Sequence, residues 1–483
     1  MSVTMERYNL VVVGAGSGGL VVAAGGAGLG ARVALLEKHK MGGDCLNYGC
    51  VPSKALLKAA KVAQAARAAG RFGLRGIQDP GPQDLRAVMD YVRSRQAHIA
   101  PHDSVERFTG LGVEVIRSAG RIVSPHEVVA ENGRRLHGRH IVLATGSRPF
   151  VPPIEGLAAA GYLTNETVFD LDTLPGRLAV IGGGPVGAEL GQAFARLGSR
   201  VTIISSSAHI LPREDEDVSA ILAERLGGEG ITILDSARAE AVGLRGDVKV
   251  VSVTTAAGGR SLEVEADAIL IAAGRAPNVE SLGLEAVGVA MDGRFVKTDA
   301  MGRTSVPSIW AIGDVAGRYL FTHWAGYQAR GIIRNTLFPG RSSIDDGNVP
   351  WTTFTDPEIA HVGLTEKEAS RKGIDHAVFK VPFDGNDRAV CDGEHAGYFA
   401  KAMAGRKGAI LGATIVHPHA GDLLAEIVLA RRKGLTLKDL SDTIHTYPTL
   451  SEINRSLGDA YRKTTLTPST KKLLTKAYAW LRR

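Results

Sequence analysis

Tyr8-Asn9-Leu10-Val11-Val12-Val13-Gly14-Ala15-Gly16-Ser17-Gly18-Gly19 is a β-rich run that breaks into a glycine-spaced turn and continues as a helix of small residues. A further strand, Arg32-Val33-Ala34-Leu35-Leu36, follows and ends in Glu37. The same order recurs downstream: the strand Leu178-Ala179-Val180-Ile181, the turn Gly182-Gly183-Gly184-Pro185-Val186-Gly187, a helix from about Ala188 to Leu197, and the strand Arg200-Val201-Thr202-Ile203-Ile204. Both segments read as βαβ units. In each, the first glycine (Gly14, Gly182) allows a tight turn, the second (Gly16, Gly184) lets the backbone approach a pyrophosphate, and the third (Gly19, Gly187) packs helix against strand. One fingerprint of this kind is weak evidence; two of them, each in strand-turn-helix context, predict two dinucleotide sites.

Glu37 lies where a carboxylate bonds a ribose 2′-hydroxyl, so the first site suits an adenosine with an unmodified ribose, as in FAD. At the equivalent place the second unit reads Ser205-Ser206-Ser207, with no carboxylate to repel a 2′-phosphate. That favours NADPH there, with NADH as the alternative. Two further glycine-bearing strand ends, at Thr145-Gly146 and at Gly274-Arg275, read as places where the chain crosses between lobes. Gly313-Asp314 ends another strand and offers a backbone and a carboxylate to a flavin's ribityl and phosphate region. From about Asn348 strands alternate with helices and no nucleotide motif appears, which predicts an α+β lobe, with strands at 376–381 and 409–416. The fold class is therefore α/β, with two Rossmann-like nucleotide-binding domains and a C-terminal α+β domain.

Cys45 and Cys50 sit in Gly42-Gly43-Asp44-Cys45-Leu46-Asn47-Tyr48-Gly49-Cys50-Val51-Pro52-Ser53-Lys54, downstream of the first fingerprint. Two thiols at this spacing can close a small disulfide ring, and a thiol at a helix start has its thiolate favoured by the helix dipole. The third cysteine, Cys391, stands alone and reads as a packing or loop residue. Three cysteines in 483 residues exclude a secreted disulfide framework and fit a reducing, cytoplasmic compartment. The uncharged stretch from Leu10 to Ala31 is too rich in glycine for a membrane span, and no cleavable signal is expected near Arg7. The charge of +7 comes from 57 basic against 50 acidic residues with no long basic block, which argues against nucleic acid. The tail from Lys471 to Arg483 puts Leu473, Leu474, Ala477, Trp480 and Leu481 on one helical face. It is expected to dock on its own domain, with contact to a membrane surface or a partner as the alternative. His417-Pro418-His419 offers too few ligands for a metal site, and none is expected.

Together these motifs resemble the flavin-dependent pyridine nucleotide-disulfide oxidoreductases, the family of glutathione reductase, dihydrolipoamide dehydrogenase and mercuric reductase. The resemblance runs from Asn9 to about Tyr461 and includes Tyr447-Pro448-Thr449-Leu450-Ser451-Glu452. It implies an FAD domain at 1–155, an NAD(P) domain at 156–274, a return to the FAD domain at 275–347, an interface domain forming a homodimer at 348–465, and a basic amphipathic tail at 466–483. It also implies cofactor contacts at Gly14, Gly16, Gly19, Glu37, Gly43, Lys54, Thr145, Gly146, Gly313 and Asp314, and at Gly182, Gly184, Gly187, Ser205, Gly274 and Arg275. Cys50 would be the flavin-facing thiol, Cys45 the interchange thiol, and Lys54 would pair with Glu189 near the flavin. Lys54 stands one helical turn beyond Cys50, so both face the ring if their helix starts near Pro52.

One position departs from the pattern. Dihydrolipoamide dehydrogenases and glutathione reductases carry a histidine before the proline of the C-terminal motif, a base supplied by the other subunit; here it is Tyr447. A phenol is a poor base at neutral pH, and Glu452 lacks the histidine it would orient. His445, two residues upstream, is a substitute base or a structural residue. Tyrosine at this place resembles mercuric reductases, whose usual C-terminal vicinal cysteines have no counterpart in Trp480-Leu481-Arg482-Arg483. The leading expectation is an NAD(P)H-dependent FAD enzyme, mercuric reductase-like, acting on a small-molecule disulfide or on a thiophilic metal such as Hg(II). The alternatives are a dihydrolipoamide dehydrogenase-like enzyme acting on a protein-bound lipoyl group and, from another class, a slow-turnover flavin-binding redox sensor.

Overall fold

The computed structural model describes residues 6–482 except 78, 257, 258 and 260. The first residues of the 1–155 segment and Arg483 of the tail lie outside the described residues. Two compact units emerge: one runs up to Ala208 and resumes from Glu229 to Asp345, and the other joins His209–Gly228 to the chain from Asp346 onward.

In the first unit the opening run forms the strand Glu6–Val13, flanked in parallel by Val33–Leu36 and Arg135–Leu143. Leu10, Val11 and Val12 are wholly buried, as a strand covered on both faces requires, and each contributes about 1.5–3 kcal/mol of burial. Val113–Ile116 extends this sheet on one side, the antiparallel strands Glu127–Ala130 and Gly120–Ser124 on the other, and Ile309–Ala311 pairs with Arg135–Leu143. That last pairing returns the chain to its first sheet after the second βαβ unit. The second parallel sheet has the order Thr232–Leu234, Arg200–Ile204, Arg177–Ile181, Ala268–Ile271. The two crossing points meet, because Ser147–Pro149 pairs antiparallel with Arg275–Pro277.

The helix after the second fingerprint spans Pro185–Leu197 and so begins earlier than the expected Ala188. Pro185 occupies its first turn, where no backbone N–H is needed. The helix carrying the second cysteine is Cys50–Ala68; it begins at Cys50 rather than near Pro52, since proline is tolerated in a first turn. It packs on Pro185–Leu197.

The second unit is an antiparallel sheet in the order Pro350–Thr353, Glu358–Gly363, Ile410–His417, Phe399–Ala404, Ala377–Pro382, backed by Ala420–Arg432 and Glu452–Thr465. The two strands expected at 376–381 and 409–416 are each displaced by one residue. Residues 209–228 also belong here. Their buried Asp215 accepts from the buried Lys401 ammonium at 2.8 Å, and Glu214 accepts from the Trp351 indole N–H at 2.6 Å. Cys391 is exposed on the short helix Asp387–Asp392, not packed. His417 is buried, stacked on Phe383 and within 3.1 Å of the Glu394 carbonyl. The tail forms the helix Pro468–Leu481, but the expected docking is absent: none of its residues is buried.

Candidate active site

Gly14 and Gly43 show why the two glycine-rich stretches are shaped as they are. Gly14 has φ +106°, and a Cβ there would lie 2.4 Å from the Ala144 carbonyl oxygen. Gly43 has φ +58°, and its Cβ would lie 2.6 Å from the Gly16 Cα. The turn leading to Cys45 is therefore laid directly against the first fingerprint. Space is left where a dinucleotide needs it: a Cβ on Gly184 would meet nothing within 4 Å, and one on Gly16 only the Gly43 Cα at 3.9 Å. Both residues precede helices whose first N–H groups receive no side-chain cap. These open cradles at uncapped helix starts fit pyrophosphates. Gly14→Ala is expected to destabilise the protein by roughly 1–3 kcal/mol and to lower its flavin content. Wild-type thermal midpoint and flavin-to-protein absorbance in that variant would contradict this account.

Glu37 is buried at the end of its strand, where its carboxylate accepts from the Ala15 N–H at 2.8 Å and the His39 N–H at 2.7 Å. It is thereby fixed on the fingerprint loop with lone pairs to spare. Thr145 and Gly146 are tied to the return crossing: the Thr145 hydroxyl donates to the Asn278 carbonyl and the Asn278 N–H to the Gly146 carbonyl. Gly313 donates its N–H to the Gln328 amide at 2.8 Å. Beside it, burial pushes the Asp314 carboxyl up, against the Ser147 hydroxyl that donates to it. Gly274 accepts from the Phe150 N–H. Arg275 faces the Cys45 turn: its guanidinium lies 3.1 Å from Asp44 and 3.6 Å from Asp314, and donates to the Ser147 hydroxyl. Ser205 is buried and accepts from the Ser207 N–H at 3.3 Å.

Cys45 is half-buried on the short helix Gly43–Asn47, and Cys50 is the exposed first residue of its own helix. Both are free thiols and they hydrogen-bond to each other. Cys50 lies 3.3 Å from the Thr322 hydroxyl. The bond from Cys45, reinforced by Thr322 and the Lys54 charge, lowers the Cys50 thiol to about 6. The same bond, with burial, holds the Cys45 thiol above its ordinary value. At neutral pH the pair therefore holds one proton, on Cys45, and one thiolate, on Cys50. In the reduced protein the ultraviolet thiolate band is expected to be present above about pH 6 and to fade as pH falls through it. Cys45→Ala, which removes the donor, should move that midpoint upward, and a band unchanged by Cys50→Ser would contradict the assignment.

Lys54 donates to the buried Glu189 at 2.7 Å, from the cysteine helix to the helix of the second fingerprint. Asp44, which accepts from Asn165 at 3.2 Å, joins Thr322, Ser147 and Asn165 as contributors that the motifs did not single out. Asp44 had a signal, since it precedes Cys45; the other three act across more than a hundred residues of sequence and had none.

In the C-terminal unit, Tyr447 is exposed and donates its hydroxyl to Asp387 at 2.9 Å, which raises the phenol above its ordinary value. His445 lies 2.9 Å from a Glu426 oxygen through Nε2 and 3.0 Å from the Thr443 carbonyl through Nδ1. Glu452 is buried, accepting from Arg455 at 3.2 Å and from the Thr449 N–H at 3.4 Å.

Two glycine turns with room for pyrophosphates, and a hydrogen-bonded dithiol whose second cysteine starts a helix packed on the helix after the second turn, are the features expected of a nucleotide-dependent dithiol oxidoreductase. Residues 8–329 match the family model described as pyridine nucleotide-disulphide oxidoreductase, and residues 349–457 match that family's dimerisation domain. The chain belongs to this family, whose cofactors are FAD and NAD(P)H. It is 37% identical to the dihydrolipoyl dehydrogenase of Thermus scotoductus over 95% of this chain and 98% of the relative. To the mercuric reductase of Lysinibacillus sphaericus it is 33% identical, over 92% of this chain and 81% of the relative. Among solved structures, the Cu(II) complex of the HOCl-induced flavoprotein disulfide reductase RclA from Escherichia coli is 29% identical with a TM-score of 0.83, covering 94% of this chain and 99% of that one. Among the described residues, no helix is long and apolar enough to cross a membrane.

Proposed function

We propose that the protein is a homodimeric NAD(P)H-dependent FAD oxidoreductase whose Cys45–Cys50 pair delivers electrons to a thiophilic metal ion in preference to a lipoyl group or glutathione disulfide. The chemistry that FAD supplies when bound is two-electron transfer between a nicotinamide hydride and sulfur. The residues to hold it are the Gly14–Gly19 turn, Glu37, Gly43 and the Gly313-Asp314 segment; the Gly182–Gly187 turn would take the nicotinamide cofactor. Ser205 in place of an acidic residue supports NADPH.

The observation that carries the choice of oxidant is the lack of a basic group at the C-terminal motif. Tyr447 is bound to Asp387, which makes its phenol a weaker acid still, and His445 is engaged by Glu426 and the Thr443 carbonyl. Exchange with an organic disulfide needs a base to take the Cys45 proton and return it to the leaving thiol. A soft cation needs none, because coordination itself deprotonates a thiol. The Cu(II) complex of the 29%-identical Escherichia coli reductase supports the same direction.

Steady-state assays with Hg(II), Cu(II), lipoamide and glutathione disulfide, each against NADPH and NADH, test this reading. The cations should give the highest kcat/KM, with NADPH preferred. Fast lipoamide turnover would overturn it.

A further inference from the structure

We propose that the terminal helix Pro468–Leu481 is an interfacial anchor that docks the enzyme on anionic lipid bilayers. At 3.6 residues per turn, Leu473, Leu474, Ala477, Trp480 and Leu481 fall within one arc of about 120°. Lys471, Lys472, Lys476 and Arg482 fall outside that arc, on both of its sides. The structure leaves this face uncovered: Leu473 is 68%, Trp480 74% and Leu481 69% exposed, and no residue of the helix is buried. The helix has its own start signals, with Pro468 in the first turn and the Thr467 hydroxyl accepting from the Thr470 N–H.

Charge selects the occupant. After Asp459 the sequence contains no acidic residue, while Arg462, Lys463 and the cations of the helix follow. A second copy laid face to face would bring two cationic rims together, which is repulsive. An anionic bilayer accepts both features, taking the apolar arc into the boundary between headgroups and acyl chains and the cations onto lipid phosphates. Trp480, at the edge of the arc, suits that boundary. Fourteen residues span about 21 Å, too short to cross a bilayer but sufficient to lie in its surface.

The test is co-sedimentation of the full-length, FAD-loaded protein with phosphatidylcholine vesicles, with and without phosphatidylglycerol. Binding should require phosphatidylglycerol and weaken with salt. Replacing Lys471, Lys472 and Lys476 together by Gln should lower the partition coefficient by roughly 100-fold, and Trp480→Ala by about tenfold, with NAD(P)H oxidation unchanged in both variants. Tryptophan emission should shift to the blue on binding, reporting Trp480, because Trp310, Trp324 and Trp351 are buried. Recovery of the protein in the supernatant with anionic vesicles would overturn the proposal. So would binding insensitive to the triple substitution. Loss of a higher oligomer on Trp480→Ala, with no vesicle binding by the wild type, would assign the face to a second copy instead.

Discussion

Serine in place of Cys45 or Cys50 is expected to lower NAD(P)H-dependent turnover by at least about 10³-fold while flavin content and thermal midpoint stay close to wild type. In the reduced protein Cys50 carries the thiolate and Cys45 the proton. In the proposed reaction with a disulfide substrate, Cys45 loses its proton, bonds to one substrate sulfur and expels the other as a thiolate. The Cys50 thiolate then bonds to the Cys45 sulfur and expels the second. Two protein thiols are oxidised and one substrate disulfide is reduced. With a soft cation the pair acts instead as two adjacent sulfur donors, again with both sulfurs required. A serine hydroxyl supplies neither a thiolate nor an S–S bond. The check is thiol titration before and after anaerobic NADPH, alongside turnover: the wild type should gain two titratable thiols and each variant none. A Cys45→Ser protein that kept most of its turnover would remove the sulfur pair from the mechanism.

Histidine in place of Tyr447 is expected to raise lipoamide turnover by about 10²–10⁴-fold, the usual contribution of a positioned general base. The gain should appear as pH rises through roughly 6.5, because only the neutral imidazole accepts the thiol proton. Tyr447 is exposed and its hydroxyl is held by Asp387, so the exchange disturbs little packing. Glu452 is already fixed by Arg455 and the Thr449 N–H. Tyr447→Phe is the control: it removes the hydroxyl without adding a base and should leave the low lipoamide rate in place. Steady-state pH profiles of the two variants decide the matter. A Tyr447→His enzyme as slow as wild type on lipoamide would show that the missing base is not what limits this substrate.

Much of the fold was legible because glycine leaves a local mark. The close approach of Gly14 to the Ala144 carbonyl admits no side chain, so the residue type announces the turn. Helix starts were read less well: both Pro185 and Pro52 lie inside first turns, where proline stops nothing. The cysteine pair was legible from spacing, but the asymmetry of its protons was not, since Thr322, 272 residues beyond Cys50, helps to set it. His445 was ambiguous for a similar reason, as its carboxylate partner Glu426 lies on another helix. The tail's amphipathic face was plain in the sequence. Whether anything covered it depended on three-dimensional packing.

The stretch His209–Gly228, which leaves the first unit and joins the second, makes the protein indivisible in a way its linear domain plan conceals. A polypeptide cut after Asp345 would keep Asp215 and Asp217 but surrender Lys401, the ammonium that both carboxylates share, and Lys380, which also pairs with Asp217. Orphaning a buried charge in this manner costs roughly 3–5 kcal/mol, a large share of what holds a protein folded. Neither half is expected to survive as a free-standing module, so nucleotide binding and subunit assembly must be inherited, engineered and lost together.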